Sequence, residues 1–449
     1  MKKALKLNCF IINNIKRGTY LKIKVNFMYK RNGFKKDTLI KENRSIKKKK
    51  QFTFKEIKEN NTSRFFYYKL VFFYFFIFLM IDAEKGKIII SFFIKNLKNL
   101  NGIIYENNYD DFDNAKQMFN KDPFLNSHIE NITILNHTYN KNYKNLKNNK
   151  INVHICVALD DKYIFPLLVS MESTLLNCNK DKTFLIYHIL CAPDVTEKTL
   201  SILKSLMNKY SLNLEMIFYG MGDNFMYLHK SRLSQVTYYR LLLPLFVNLK
   251  RILYLDGDTL IYKDLGEMFQ LDFNNNSVLG TLDYYSYGVD YLGLRSDKYI
   301  NAGVILLNLE KIRNDKKYYD LINITTKVGL NNEDQTAINF VLYPNIGILP
   351  NKYNVFNFYD TPDIQVYANY LRQQINVTEI EEIVKNPTIV HHVICTPKIW
   401  NKKTKYFEHV SACTQRNDCS CLKYHDIWLS FANKTDYYPE IVKFIDELE

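Results

Sequence analysis

Between residues 151 and 218 the chain alternates apolar runs of strand length with stretches of helix length, and this alternation limits the fold more than any other feature. Ile151 to Leu159 is almost continuously apolar and stops at Asp160 and Asp161; a helical stretch follows from about Tyr163 to Leu176. Thr183 to Cys191 reads as a second strand, Thr196 to Tyr210 as a helix and Leu212 to Phe218 as a third strand. Strand, helix, strand, helix, strand is the pattern of a right-handed parallel α/β unit, here expected to lie in a mixed, mainly parallel sheet. Open sheets of this kind bind ligands at the carboxyl ends of their strands, which draws attention to Asp160 and Asp161. Gly220-Met221-Gly222 lacks the third glycine of a dinucleotide fingerprint, and no G-x-x-x-x-G-K-[ST] occurs. NAD and P-loop chemistry therefore have no motif behind them.

A further apolar run, Arg251 to Leu255, leads into Asp256-Gly257-Asp258. Two carboxylates two residues apart point to one side if the strand persists, and together they can hold one hard divalent cation. Gly257 between them removes a side chain that would crowd a phosphate. Such a cation would bridge the oxygens of a diphosphate and stabilise it as a leaving group. A solvated Asp-Gly-Asp turn is the plainer alternative, and the strand in front of it favours the functional one.

The formal charge of +15 over 449 residues suggests nucleic acid as a partner until its distribution is examined. Residues 1–64 hold 20 Lys and Arg against 4 Asp and Glu, a net of +16, while residues 65–449 hold 41 against 42, a net of −1. The working part is neutral, the basic part interleaves no recognition motif, and no nucleic-acid partner is expected. Directly after the basic arm, Phe65 to Ile81 is a 17-residue apolar segment whose one charge is Lys69. A helix of that length spans about 25 Å, near the thickness of a bilayer core. Positive charge before such a segment keeps that side cytoplasmic, so 65–81 is expected to be a signal anchor with type II topology, a cleaved signal peptide being the alternative. The expected organisation is then a disordered cytoplasmic arm (1–64), the anchor (65–81), a stem or linker rich in Asn, Lys and Asp (82–150), a catalytic domain (151–408) and a C-terminal extension (409–449). The domain would lie in the lumen of the ER or Golgi. Six N-x-S/T sequons beyond the anchor are compatible with that, although an Asn-rich chain supplies many by chance.

Five blocks in order make the pattern specific. They are Ala158 to Tyr163; Thr237-Tyr238-Tyr239-Arg240-Leu241; Tyr254 to Asp258; Tyr299 to Leu309 with its Asn301-Ala302-Gly303; and Glu333-Asp334-Gln335 followed by His392, Lys398 and Trp400. From about Ile151 to Phe407 the chain resembles the retaining glycosyltransferases of family 8, the galactosyl- and glucosyltransferases related to glycogenin and to bacterial lipooligosaccharide galactosyltransferases. The resemblance implies a single GT-A type domain, a UDP-sugar donor, Mn²⁺, and a glycan or glycoprotein acceptor. It further implies that Asp160 accepts from the uracil edge and Tyr163 stacks on the ring, and that Arg240 lies beside the nucleotide sugar and donor hexose. Asp256, Asp258 and His392 would bind the metal, a mixed oxygen and nitrogen set suited to Mn²⁺, and Lys398 would ride on the diphosphate. Asn301, Ala302 and Gly303 would meet the sugar, Asp283 would hold donor hydroxyls, and Asp334 and Gln335 would lie beneath the anomeric carbon. His391 precedes His392, and counting six residues back from Lys398 selects His392. Cys395 and Ile399 stand where the family usually has glycine and proline. If those exchanges impair loop closure, the alternative is a membrane-anchored UDP-sugar or glycan binder of the same fold.

Overall fold

The computed structural model describes residues 8–12, 22–26, 103–106, 112–113, 117, 119, 121–225, 235–283, 294, 296–326, 333–356, 382–393, 398–401 and 420–448. The chain divides into two compact units, Met1–Lys95 and Asn96–Glu449. In the first, β1 (Asn8–Ile12) and β2 (Lys22–Asn26) form an antiparallel ribbon within the arm expected to be disordered. The apolar segment 65–81 lies outside the described residues. Among the described residues no helix is long and apolar enough to cross a membrane.

The second unit is built on one nine-stranded sheet in the order β12-β10-β11-β8-β5-β6-β7-β4-β3. Its strands in chain order are β3 (Ile103–Glu106), β4 (Thr133–Asn140), β5 (Ile151–Leu159), β6 (Thr183–Cys191), β7 (Leu214–Gly220) and β8 (Arg251–Leu255), then β10 (Val278–Leu282), β11 (Ile300–Asn308) and β12 (Ile346–Ile348). The expected parallel unit is its centre, where β8, β5, β6 and β7 run side by side in one direction. "Mainly parallel" describes that centre and not the whole. β11 is antiparallel to both β8 and β10, and β4 is antiparallel to both β7 and β3. Both faces of the centre are buried: Val153, Ile155, Val157 and Leu159 of β5 face one core, and Cys156 faces the other. Strands covered on both sides read as continuous apolar runs, which is why β5, β6 and β8 are visible in the sequence.

The expected stem or linker (82–150) contributes two strands to this sheet, β3 and β4. Helix α1 (Pro123–Ile129), capped by Asp122, buries Leu125 and Ile129, and β4 pairs with β7. Much of what β4 buries is polar: Asn136, His137, Thr138 and Asn140. His137 Nε2 lies 2.8 Å from Glu215 Oε1 on β7, and Lys147 Nζ lies 2.6 Å from the other oxygen of that buried carboxylate. A strand buried through an ion-paired, hydrogen-bonded row has no hydrophobic alternation to betray it.

One face of the sheet is covered by α2 (Ile164–Asn177), whose residues from Ile164 to Leu175 are nearly all buried. The helix expected over 196–210 is two, α3 (Glu197–Lys204) and α4 (Leu206–Tyr210), with Ser205 between them. The other face is covered by the buried 3₁₀ segment Gln235–Leu242 and by α5 (Glu333–Leu342). A second, three-stranded sheet joins β9 (Thr259–Ile261), β13 (Val355–Phe356) and β14 (Ile389–His391). The C-terminal extension is not an appendage: α6 (Ser420–Ala432) packs on α2, and α7 (Tyr438–Glu447) buries Ile441 and Ile445 in the same core.

Candidate active site

The strand β8 stops at Leu255, and Asp256-Gly257-Asp258 forms a turn into β9 rather than a continuation of the strand. Asp256 N donates to Gly303 O of β11 at 2.8 Å, and Thr259 N and Oγ1 both return to Asp256 O. The two carboxylates meet all the same, because the small sheet brings a third group over the turn. His391 of β14 is paired with Thr259 of β9, and its Nε2 lies 3.2 Å from Asp258 Oδ1 and 3.7 Å from Asp256 Oδ2. One ligand atom from each of Asp256, Asp258 and His391 lies within 4.8 Å of the others. Two carboxylates and one imidazole at this spacing fit a divalent cation such as Mn²⁺.

The imidazole expected here was His392, and the structure puts His391 in its place. Neighbouring residues at the end of a strand point to opposite faces, and only the first of the pair faces the carboxylates. His392 contributes its main chain: its N–H donates to Asp258 O at 3.1 Å, and its carbonyl accepts from Lys398 Nζ at 2.9 Å. Its ring is fully buried, and burial pulls its pKa down to about 3. Counting back from Lys398 assumed a fixed loop length, whereas the hydrogen-bonded strand sets the ring.

Gly303 is required by this cluster. A Cβ on Gly303 would stand 2.1 Å from His391 Cε1 and 2.7 Å from Asp256 Oδ2, too close for any side chain. Gly257 serves differently from expectation: its missing Cβ makes room for the ring of Tyr163, 3.0 Å from where that atom would be. Tyr163 also meets Trp400 edge to face, centroids 5.5 Å apart, so this ring is wedged against the Asp256-Gly257-Asp258 turn. Asp160 Oδ1 accepts from Tyr163 N at 3.0 Å and caps the 3₁₀ turn that presents it.

Two cations flank the carboxylates. Lys398 Nζ lies 2.5 Å from Asp258 Oδ2. Burial would push the Asp258 carboxyl up, yet Lys398 and His391 hold it well below the usual carboxylate range. Arg240 is buried: its guanidinium lies 3.7 Å over the Tyr254 ring, gives Nη2 to Asp256 Oδ1 at 3.0 Å, Nη1 to Ala302 O at 2.6 Å and Nε to Thr237 O at 2.8 Å, and Asp334 Oδ2 lies 3.0 Å from Nε as an ion pair. Asp334 therefore acts on Arg240 in this structure.

Beside them lies a cluster of amides around one carboxylate. Gln335 Oε1 accepts from Ala302 N at 3.0 Å, and its Nε2 donates to Asp283 Oδ2 at 2.7 Å; Asn301 Nδ2 approaches the same oxygen at 3.3 Å. Burial raises the pKa of Asp283, and these two donors oppose the rise. Asn339 clamps the helix to the strand by accepting from Ile300 N and donating to Ile300 O, each at 2.8 Å. Four residues of helix rise about 6 Å and two of strand about 6.7 Å, so Gln335 and Asn339 match Ala302 and Ile300 in step. Sequence reading missed Asn339 and also Asn354, which is buried and bonded to both Asn301 and His391. In so Asn-rich a chain neither stands out. Ile399 is fully buried in the core, so that departure from the family pattern is absorbed by packing. Cys395 lies outside the described residues.

The sequence profile of glycosyl transferase family 8 matches residues 154–404. The chain belongs to this family. The match takes in the Asp256-Gly257-Asp258 turn, the Asn301-Ala302-Gly303 strand, Gln335 and His391. As a family 8 member the chain is 25% identical over 268 residues to a putative glycosyltransferase of Haemophilus influenzae, a match covering 57% of this chain and 74% of that protein. Its identity to glycosyltransferase GlyE of Streptococcus pneumoniae is 29% over 172 residues, 38% of each chain. The bifunctional glycosyltransferase WbbM in its apo form has a similar fold, with a TM-score of 0.52 at 20% identity over 65% of this chain and 51% of that one. The chain thus spans about half of WbbM and little more than a third of GlyE. This family 8 chain is a glycosyltransferase with an α/β fold of the GT-A kind.

Proposed function

We propose that the chain transfers a sugar (glucose, galactose or xylose) from a UDP-sugar to an acceptor hydroxyl, with retention of configuration and with Mn²⁺. The observation that carries this reading is the convergence of Asp256, Asp258 and His391 beside Lys398, with Gly303 leaving the space they need. Bound there, the cation would neutralise charge on a departing diphosphate. Lys398 would turn from Asp258 to the phosphate oxygens and strengthen the same effect. Arg240 keeps Asp256 in position through its Nη2 while Asp334 and the Tyr254 ring keep Arg240 in position. Asp283 and Asn301 offer an acceptor and an amide to the donor hydroxyls.

Gln335 is oriented by donors and acceptors at both ends, and an amide so held is a poor nucleophile. A displacement on one face, with the leaving phosphate oxygen taking the acceptor proton, agrees better with this environment than a covalent glycosyl intermediate. Asp160 and Tyr163 are suited to the uracil. The acceptor is a glycan or glycoprotein hydroxyl. Placement in the lumen of the ER or Golgi behind a signal anchor rests on residues 1–81 alone.

The test is UDP release from a panel of UDP-sugars by the purified full chain with Mn²⁺, with and without EDTA. One sugar should give release that EDTA abolishes and that Asp258→Ala lowers by at least about 100-fold. Anomeric NMR of the product should read α. Release unaffected by EDTA, or Asp258→Ala at the wild-type rate, would sink the metal-assisted mechanism.

A further inference from the structure

The amides behind the carboxylates have orientations that the main chain dictates. Gly303 N–H can only donate, and the atom it meets at 3.0 Å is Asn301 Oδ1; Asn301 Nδ2 is thereby turned to the Asp283 carboxylate. An oxygen in that position needs a donor from its other neighbour, and Asn354 supplies Nδ2 at 3.1 Å. The other end of the Asn354 amide is then Oδ1, and it faces His391 Nδ1 at 3.1 Å. An amide oxygen only accepts, so Nδ1 carries the proton. Nε2 is left as the ring atom that can bind a cation, and it is the one aimed at Asp258 and Asp256. Every polarity in this row follows from the one before it, starting from a backbone N–H that cannot reverse. The row is also rigidly mounted: Asn354 is 1% exposed and precedes β13, which runs parallel to β14 with Phe356 beside His391.

We propose that Asn354 is a positioning residue for the metal centre, holding His391 with Nδ1 protonated and Nε2 aimed between the two carboxylates, and tying that ring to Asn301 beside Asp283 and Gln335. The proposal rests on the reading of Asp256, Asp258 and His391 as metal ligands. A ligating imidazole is commonly oriented by a group on its other nitrogen, and loss of that group costs about 10–100-fold in metal affinity. Asn354 does this with a neutral amide whose second end reaches the residues set around the donor sugar. Asp at this position would keep an acceptor for Nδ1–H but present an oxygen to Asn301 Oδ1, whereas Leu would keep neither contact.

The experiment uses the full chain with ¹⁵N-labelled histidine, first without metal and then titrated with Mn²⁺ under EPR. Without metal, one slowly exchanging ring Nδ1–H should be assignable to His391 by its loss in His391→Gln; it should persist in Asn354→Asp and vanish in Asn354→Leu. On titration, Asn354→Asp should bind Mn²⁺ within about threefold of wild type and Asn354→Leu about 10–100-fold more weakly. Asn354→Leu with wild-type Mn²⁺ affinity, or a wild-type His391 ring protonated on Nε2 alone, would overturn the proposal. Should Asn354→Leu not fold, the wild-type ring proton and the Asn354→Asp affinity still decide it. A wild-type chain that binds no Mn²⁺ would overturn the metal reading itself, and the metal-free ring signal tells that failure from failure of the hydrogen-bonded row.

Discussion

Gly303 concentrates the constraints on the active site into one missing methyl group. The 2.1 Å between its virtual Cβ and His391 Cε1 is far inside contact distance, and the nearest atoms belong to a ring clamped by Asn354 and a carboxylate clamped by Arg240. Neither can give way without losing a buried hydrogen bond. Gly303→Ala should therefore displace His391 and weaken Mn²⁺ binding by about 10-fold or more, as loss of a ligand's support does. Calorimetric titration with Mn²⁺ checks this, and an unchanged affinity would remove His391 from the site. At this scale the sequence was legible where chemistry is local. Asp256 and Asp258 declare themselves by adjacency at the end of an apolar run. His391 was misread as His392 because the choice depends on which face of a short strand each ring occupies. Asn354 was unreadable, since its meaning lies in two contacts remote along the chain.

Among the elements, α6 has the least visible purpose in sequence and a clear one in three dimensions. Its Trp428 is 2% exposed and its ring centroid lies 5.9 Å from that of Trp400, which in turn meets Tyr163 beside the Asp256-Gly257-Asp258 turn. His425 Nδ1 of the same helix contacts the Ile399 carbonyl, so the segment carrying Lys398 and Trp400 is backed by α6. Trp428→Ala should cost about 3–5 kcal/mol of stability, the usual range for a buried Trp, and should raise the KM for the donor more than it lowers kcat. Urea unfolding and steady-state kinetics measure the two effects; a stability loss without a change in KM would leave α6 a packing element alone. The elements legible in the sequence were those buried on both faces, and β5 and β6 begin and end where the apolar runs do. β4 was hidden because its burial is achieved with Asn136, His137 and Thr138 rather than with alternating apolar residues.

For the molecule as a whole, the useful boundary is near residue 96, not 151. A chain of residues 96–449 should fold and keep transfer activity. A chain of residues 151–449 should aggregate, because it loses β3, β4 and both partners of Glu215 and leaves β7 as an open edge around an unpaired buried carboxylate. Circular dichroism, sedimentation and UDP release separate these outcomes; a soluble, active 151–449 chain would return the segment to the status of a linker. The charge distribution along the chain was legible from composition, whereas this boundary depended on pairing between β4 and β7. The pairing of β8 with β11 carries a different consequence. It sets Asp256 against Gly303 at a separation fixed by the sheet, with Val304 opposite Leu255. Since β11 buries apolar side chains on both faces, hydrophobicity alone tolerates either alignment of these strands. A chain misregistered there by one residue would nevertheless carry the Cβ of Ala302 or Val304 into the space that Gly303 leaves empty beside His391, and would part Asn339 from Ile300. Single-residue insertions between 262 and 299 that slip this pairing would thus lower yield and catalytic competence together, because the glycine that admits the imidazole also sets the alignment of the two strands.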